Sequence, residues 1–172
     1  LFKYFPWGGL QRDFLEIAMR VRDDGHRVRV YAQSWEGDVP HGFEVVLAPI
    51  RGLTNHARCR HFAAWVAAHL RDDPVDLVVG FNKMPGLDVY YAADSCYVEK
   101  AHAQRPLAYR LLPRYRVLSE LEHAVFGEAS SALIMMIAPQ QKRFFQRHHA
   151  TPDARIVALP PGIAPQRVRA LR

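Results

Sequence analysis

A short apolar stretch, Phe2–Phe5, breaks at Pro6 and passes through Gly8 and Gly9 into a helical pattern that carries Asp13. Two glycines at a strand-to-helix turn let a ligand approach the backbone closely. The start of the helix adds unpaired N–H groups and a positive dipole end, which suit a phosphate. The chemistry that these residue types support is therefore binding of a nucleotide or sugar phosphate. No GxGxxG pattern is present, and Tyr31-Ala-Gln33 stands where an acidic residue would hold a ribose. No Gly-Lys-Ser/Thr follows, so this is not a P-loop. A tight turn without a ligand remains the alternative. Asp13 is placed in the first turn of the helix, where it either complements the dipole or hydrogen-bonds a sugar or acceptor hydroxyl.

A second carboxylate, Asp94, follows an apolar run in Ala92-Ala-Asp-Ser-Cys96. A carboxylate there is expected to face a ligand edge, because burying it unpaired is costly; a turn cap is the other role open to it. The loop Asn82-Lys-Met-Pro-Gly86 is polar and contains glycine, and Lys83 can hold a phosphate as a point charge. It can equally be a solvated connection. His56, Cys59 and His61 match no zinc spacing, and His148-His149 reads as a helix end. No Gly-x-Ser-x-Gly elbow occurs. No metal or cofactor is expected.

The segment 97–126 differs from the rest. Lys100, Arg105, Arg110, Arg114 and Arg116 alternate with Tyr97, Tyr109, Tyr115 and leucines. That mixture suits a segment lying on anionic lipid. Single-stranded nucleic acid uses the same residue types, and an ordinary helical hairpin with snorkelling arginines has the same composition.

These residues need elements to position them. Leu10, Phe14, Ile17, Ala18 and Val21 recur at helical spacing and predict a helix to about Asp24, with Gly25 just past its end. Strands are predicted at Arg27–Gln33, Phe43–Pro49, Asp76–Phe81, Val89–Ala93, Ala132–Ala138 and Arg155–Leu159. Asp76–Phe81 reads as covered on both faces. Asn55 is the expected cap of a helix ending before Pro74. Segment 97–126 is expected to form two or three short helices, and Pro139 to start another reaching His149. Strands alternating with helices predict a Rossmann-like, doubly wound, mostly parallel α/β sheet. Ligands then sit at the carboxyl ends of the strands, where the glycine loop, Asn82–Gly86 and Asp94 all fall.

Length and composition fit this frame. The 172 residues suit one domain, and 49% apolar content supplies a core. No run of 18 apolar residues is present, and Leu1–Phe5 leads into Pro and Gly rather than a signal cleavage site. The chain opens without Met inside a strand, so a few residues are expected to precede it. Cys59 and Cys96 are too few for a disulfide framework, which favours a reducing, cytoplasmic setting. The net charge of +6 favours anionic partners.

Taken together, KYFPWGGLQRDF, VYAQSWEGD, TNHAR, VVGFNKMPGLDVYYAAD and LPPGI resemble the lipopolysaccharide core glucosyltransferases of glycosyltransferase family 4. These are retaining enzymes with the GT-B fold, in which two Rossmann-like domains face each other across the active site. The resemblance covers residue 1 to about 165. It implies the acceptor-side N-terminal domain over 1–165 and, at 166–172, the start of a linker to a donor-binding domain outside this chain, so that the chain is inactive alone. It implies transfer of glucose from UDP-glucose to an inner-core heptose, with the protein peripheral on the cytoplasmic side of the inner membrane and no nucleic acid partner. Gly8 and Gly9 correspond to the loop near the donor diphosphate. Asp94 and Asp13 correspond to carboxylates in the cleft. Arg12, Arg51, Asn82 and Lys83 are candidates for the acceptor's phosphates, and segment 97–126 for membrane docking. A related hexosyltransferase with another donor or acceptor, or a basic lipid-binding module without catalysis, are the alternative functions.

Overall fold

A computed structural model describes residues 1–159. Its elements are β1 (Lys3–Tyr4), α1 (Gly9–Asp23), β2 (Val28–Ala32), β3 (Ser34–Trp35), β4 (Phe43–Leu47), α2 (Asn55–Asp72), β5 (Val79–Gly80), β6 (Val89–Ala92), α3 (Tyr97–Gln104), α4 (Pro113–Phe126), β7 (Leu133–Met136), α5 (Lys142–His149) and β8 (Ile156–Ala158). Short 3₁₀ turns at Leu107–Leu111, Pro139–Gln141 and Asp153–Arg155 join the later helices and strands. The LPPGI stretch lies, apart from Leu159, outside the described residues, as does the linker expected at 166–172.

Every strand pair is parallel. β2 pairs with β4, β1 with β3, and β5, β6, β7 and β8 follow one another across a four-stranded sheet. Only Gln33 separates β2 from β3, and its N–H donates to the Phe2 carbonyl at 2.8 Å. One bent strand therefore lies between β4 and β1. The Asn82 Oδ1 accepts the Phe2 N–H at 2.7 Å, which ties β1 to the loop after β5. The strands thus run outward in both directions from the β1–β5 junction, as in a doubly wound sheet.

Two apolar clusters flank the sheet, and β6 shows the alternation that divides them. Tyr90 and Ala92 face the larger cluster, with Phe62 of α2, Val125 and Phe126 of α4, Phe145 of α5, and Ile134 and Met136 of β7. The Phe126 and Phe145 rings stack at 3.7 Å. Tyr91 faces the smaller cluster, with Phe14 and Ala18 of α1, Tyr4, Val30 and Phe81. Of the predicted apolar stripe of α1, Phe14 and Ala18 are buried, Leu10 and Ile17 are half-buried against them, and Val21, near the end of the helix, is exposed.

Local differences from expectation have simple causes. Thr54 caps α2, its Oγ1 accepting the Ala57 N–H at 3.3 Å, and Asn55 is the first helical residue. The run Asp76–Phe81 forms strand only at Val79–Gly80, and Leu77 and Val79 are exposed. Among the described residues α1 is the helix packed into the smaller cluster, and it reaches Phe81 and Tyr91 rather than Val79. The helix expected from Pro139 begins as a 3₁₀ turn and becomes α-helical at Lys142.

Candidate active site

The sheet delivers the singled-out residues to its carboxyl edge. The glycine loop follows β1, Asn82 and Lys83 follow β5, and Asp94 follows β6. A cleft of about 150 Å³ opens there, lined by Phe2, Asn82, Lys83, Asp94, Tyr97, Leu118 and Leu121. Asp94 is exposed within it, and its Oδ2 accepts a long hydrogen bond, 3.5 Å, from the buried Tyr90 hydroxyl. Burial and the nearby Asp94 and Glu122 carboxylates push the Tyr90 phenol well above its usual pKa, so it stays protonated and able to donate.

Gly8 and Gly9 lie outside the lining of that cleft. Gly8 is the N-cap of α1, with ordinary extended angles. Neither glycine has a positive φ, so backbone strain does not explain them. A Cβ built on Gly8 would collide with the Gln11 side chain at 1.9 Å and Phe5 at 2.6 Å, whereas one built on Gly9 meets nothing within 4 Å. The open space above the start of α1 is therefore at Gly9.

Asp13 lies beyond the first turn, because α1 starts at Gly9 and its first turn has no acidic residue. It accepts from the Tyr91 hydroxyl at 3.0 Å and lies 3.6 Å from the Arg12 guanidinium. Burial first, and then the Asp13 hydrogen bond and charge, raise the Tyr91 phenol to about 12. Asp13 therefore tethers α1 to β6 instead of serving the helix dipole. Neighbouring β6 tyrosines consequently reach the two candidate carboxylates from opposite faces of the sheet.

Lys83 is not the free phosphate-binding charge that its loop suggested. Its ammonium donates to Glu122 Oε2 at 2.7 Å and to the Ser95 carbonyl at 2.9 Å, and it lies 5.6 Å from the centre of the Phe145 ring. An ion already neutralised inside the protein has little charge left for a ligand. Asn82 likewise commits its amide oxygen to Phe2. Arg51 stands exposed in the loop after β4.

Glu122 stands outside the residues singled out from the sequence, yet it is wholly buried at the centre of a polar network. It accepts from Lys83, from the Tyr97 and Val98 N–H groups, from His149 Nε2 at 2.9 Å and from the Cys96 thiol. Burial alone would raise its pKa; the His149 hydrogen bond and the Lys83 charge outweigh it and hold the acid at about 2. His149 is the last residue of α5, as expected, and is in addition a buried donor. Cys96, Glu122 and His149 offer ligand atoms within 4.8 Å of one another, but the cation that Glu122 receives is Lys83, and burial first, with the Glu122 charge, raises the Cys96 thiol to about 12. The sequence signal was present: Leu118, Glu122 and Val125 share one helical stripe, and a carboxylate on an apolar stripe must be paired.

In segment 97–126, Lys100, Arg105, Arg110, Arg114 and Arg116 are exposed. Tyr109 and Tyr115 are half-buried and bond within the segment. The Tyr109 hydroxyl meets that of Tyr97 at 3.0 Å, and the Tyr115 hydroxyl meets His102 Nε2 at 2.9 Å. The apolar residues that face outward are Leu107, Leu111 and Leu112, at 73%, 81% and 48% exposure. Among the described residues no helix is long and apolar enough to cross a membrane.

Comparison with known proteins agrees with this geometry. The chain is 52% identical, over 97% of its length, to the lipopolysaccharide glucosyltransferase WaaG of Escherichia coli (strain K12). A crystal structure of WaaG, a glycosyltransferase involved in lipopolysaccharide biosynthesis, superposes with a TM-score of 0.94 over 96% of the chain. The chain spans 45% of the length of each of these relatives. The fold is thus that of the Rossmann-like half of a GT-B glycosyltransferase. The profile of Glycosyltransferase Family 4 matches residues 7–167, and the chain, with its parallel sheet and carboxyl-edge cleft, belongs to that family.

Proposed function

We propose that this chain is the acceptor-side half of a retaining glucosyltransferase that moves glucose from UDP-glucose to an inner-core heptose of lipopolysaccharide. The observation that carries this reading is the 52% identity to a lipopolysaccharide glucosyltransferase across nearly the whole chain. In this reading the Rossmann-like unit faces a donor-binding domain of the longer enzyme across the cleft. The Gly9 end of α1 presents N–H groups to the donor diphosphate. Asp94 faces the donor sugar and the incoming hydroxyl across the cleft, and Asp13 supports the same edge. Of the four acceptor candidates, Arg12 and Arg51 are exposed and serve the acceptor's phosphates.

The chemistry asked of these groups is positioning and charge stabilisation. As the diphosphate leaves, an oxocarbenium-like centre develops, and a carboxylate nearby stabilises it. The acceptor hydroxyl enters on the face the diphosphate leaves, and the leaving phosphate takes its proton. No residue needs to form a covalent bond to the sugar. Exposed arginines around the Leu107–Leu112 crown hold the protein on anionic lipid at the cytoplasmic face of the inner membrane, where the acceptor is anchored.

The test is a radiolabelled transfer assay with UDP-glucose and a heptose-terminated core acceptor. The chain alone is expected to give no transfer, and the polypeptide continued through a donor-binding domain to give product with retained configuration. In that longer enzyme Asp94→Ala should lower turnover by roughly 100-fold or more without loss of folding, since Asp94 is exposed. Inverted product, or near-normal turnover in the variant, would remove the mechanism.

A further inference from the structure

The turn that carries Asp94 is held from behind by side chains of three other elements. α3 begins at Tyr97 and has no side-chain cap of its own. Glu122, one turn from the end of α4, places its carboxylate under that helix start. Its Oε2 accepts the Tyr97 N–H at 2.6 Å and its Oε1 the Val98 N–H at 3.0 Å. Lys83, from the loop after β5, donates both to the same Oε2 and to the Ser95 carbonyl. Gln141, from the turn before α5, accepts the Cys96 N–H at 3.1 Å. Ser95, Cys96, Tyr97 and Val98 therefore each have a backbone group pinned by a side chain from elsewhere. On the other flank the Ala93 N–H donates to the Tyr91 carbonyl at 3.1 Å. Ala93, Asp94 and Ser95 are exposed, and Asp94 stands at the centre of this short stretch between two fixed ends.

A buried ion pair is a poor source of stability compared with well-packed apolar residues of the same volume. What Lys83 and Glu122 supply that apolar residues would not is a set of directed bonds to this one turn. A carboxylate at a helix start also suits the dipole there. We infer that Lys83 and Glu122 are positioning residues for Asp94: they fix where its carboxylate stands in the cleft and do not themselves touch substrate. This role presupposes Asp94 at the reaction centre, as proposed above.

The test is a kinetic cycle in the full-length enzyme carrying this chain, comparing wild type, D94A, E122Q and D94A/E122Q. A misplacement on the order of 1 Å costs roughly 100-fold in rate. E122Q is accordingly expected to lower kcat by roughly 10- to 100-fold, with both KM values within about twofold of wild type. If Glu122 acts through Asp94, the double variant will be no slower than D94A within about threefold, because the two losses are not additive. Gln141→Ala should lower kcat by a few-fold in the same coupled way, and Gln141→Glu, which keeps an acceptor for the Cys96 N–H, should restore it. Multiplicative losses in the double variants, an effect confined to KM, or a folded E122Q with wild-type kcat would overturn the inference. Should E122Q not fold, the D94A/Q141A cycle decides by the same criteria. A D94A enzyme with normal turnover would sink the role of Asp94 and the clamp together; a slow D94A with additive losses would sink the clamp alone.

Discussion

Gly9 has room that Gly8 lacks, and that difference separates packing from ligand access. At Gly8 an added Cβ strikes Gln11 and Phe5, so the residue serves the protein's own packing. At Gly9 the space is open and the φ is not left-handed. Gly9→Ala should therefore leave the fold intact or stabilise it by about 0.4–1 kcal/mol through the unfolded chain. If the donor diphosphate approaches this backbone, the same methyl stands in its path. In the full-length enzyme the KM for UDP-glucose is then expected to rise roughly 10-fold or more with thermal stability unchanged. An unchanged donor KM would move the diphosphate away from α1.

Among the elements, the α3–α4 region sorts its side chains in a way that bears on lipid. Its tyrosines and His102 close on one another, while Leu107, Leu111, Leu112 and the arginines are left outward. Basic side chains near an anionic surface contribute about 1 kcal/mol each. Reversing Arg105, Arg110, Arg114 and Arg116 to Glu should abolish sedimentation with vesicles rich in anionic lipid, and added salt should weaken the wild type in parallel. Replacing Leu107 and Leu111 with Ser should weaken binding at every salt concentration without a change in melting temperature. Binding that survives both sets would assign membrane contact to another surface.

For the whole molecule, Glu122 joins the loop after β5, α3, α4 and α5 through one buried carboxylate. Its pKa is about 2 in the folded protein against an ordinary 4.5, so the unfolded chain binds the proton first as the pH falls. The stability it contributes is fully present above about pH 4.5 and is lost between there and about pH 2. The difference corresponds to about 3 kcal/mol. Urea midpoints measured from pH 6 to 2.5 should fall steeply for wild type and with a flatter slope for Glu122→Gln, which is less stable at neutral pH because Lys83 is left unpaired. Equal slopes would show that Glu122 does not carry this acid sensitivity.

Periodicity and punctuation in the sequence determined the elements: the α1 stripe, the division of 97–126 into short helices, and the strand-helix alternation that requires a parallel sheet. They also determined which residues reach the carboxyl edge, since strand ends and loops are fixed by local signals. Tertiary structure alone decided what each of those residues does there. Lys83 and Asp94 lie in one cleft, yet the cation is neutralised by Glu122, 39 positions away, and Asp13 is bound by Tyr91, 78 positions away. The pairing of the Tyr109 and Tyr115 hydroxyls with Tyr97 and His102 was equally hidden. A side chain's charge and face become available or committed only when distant elements pack, because its partner comes from the fold and not from its neighbours in the chain.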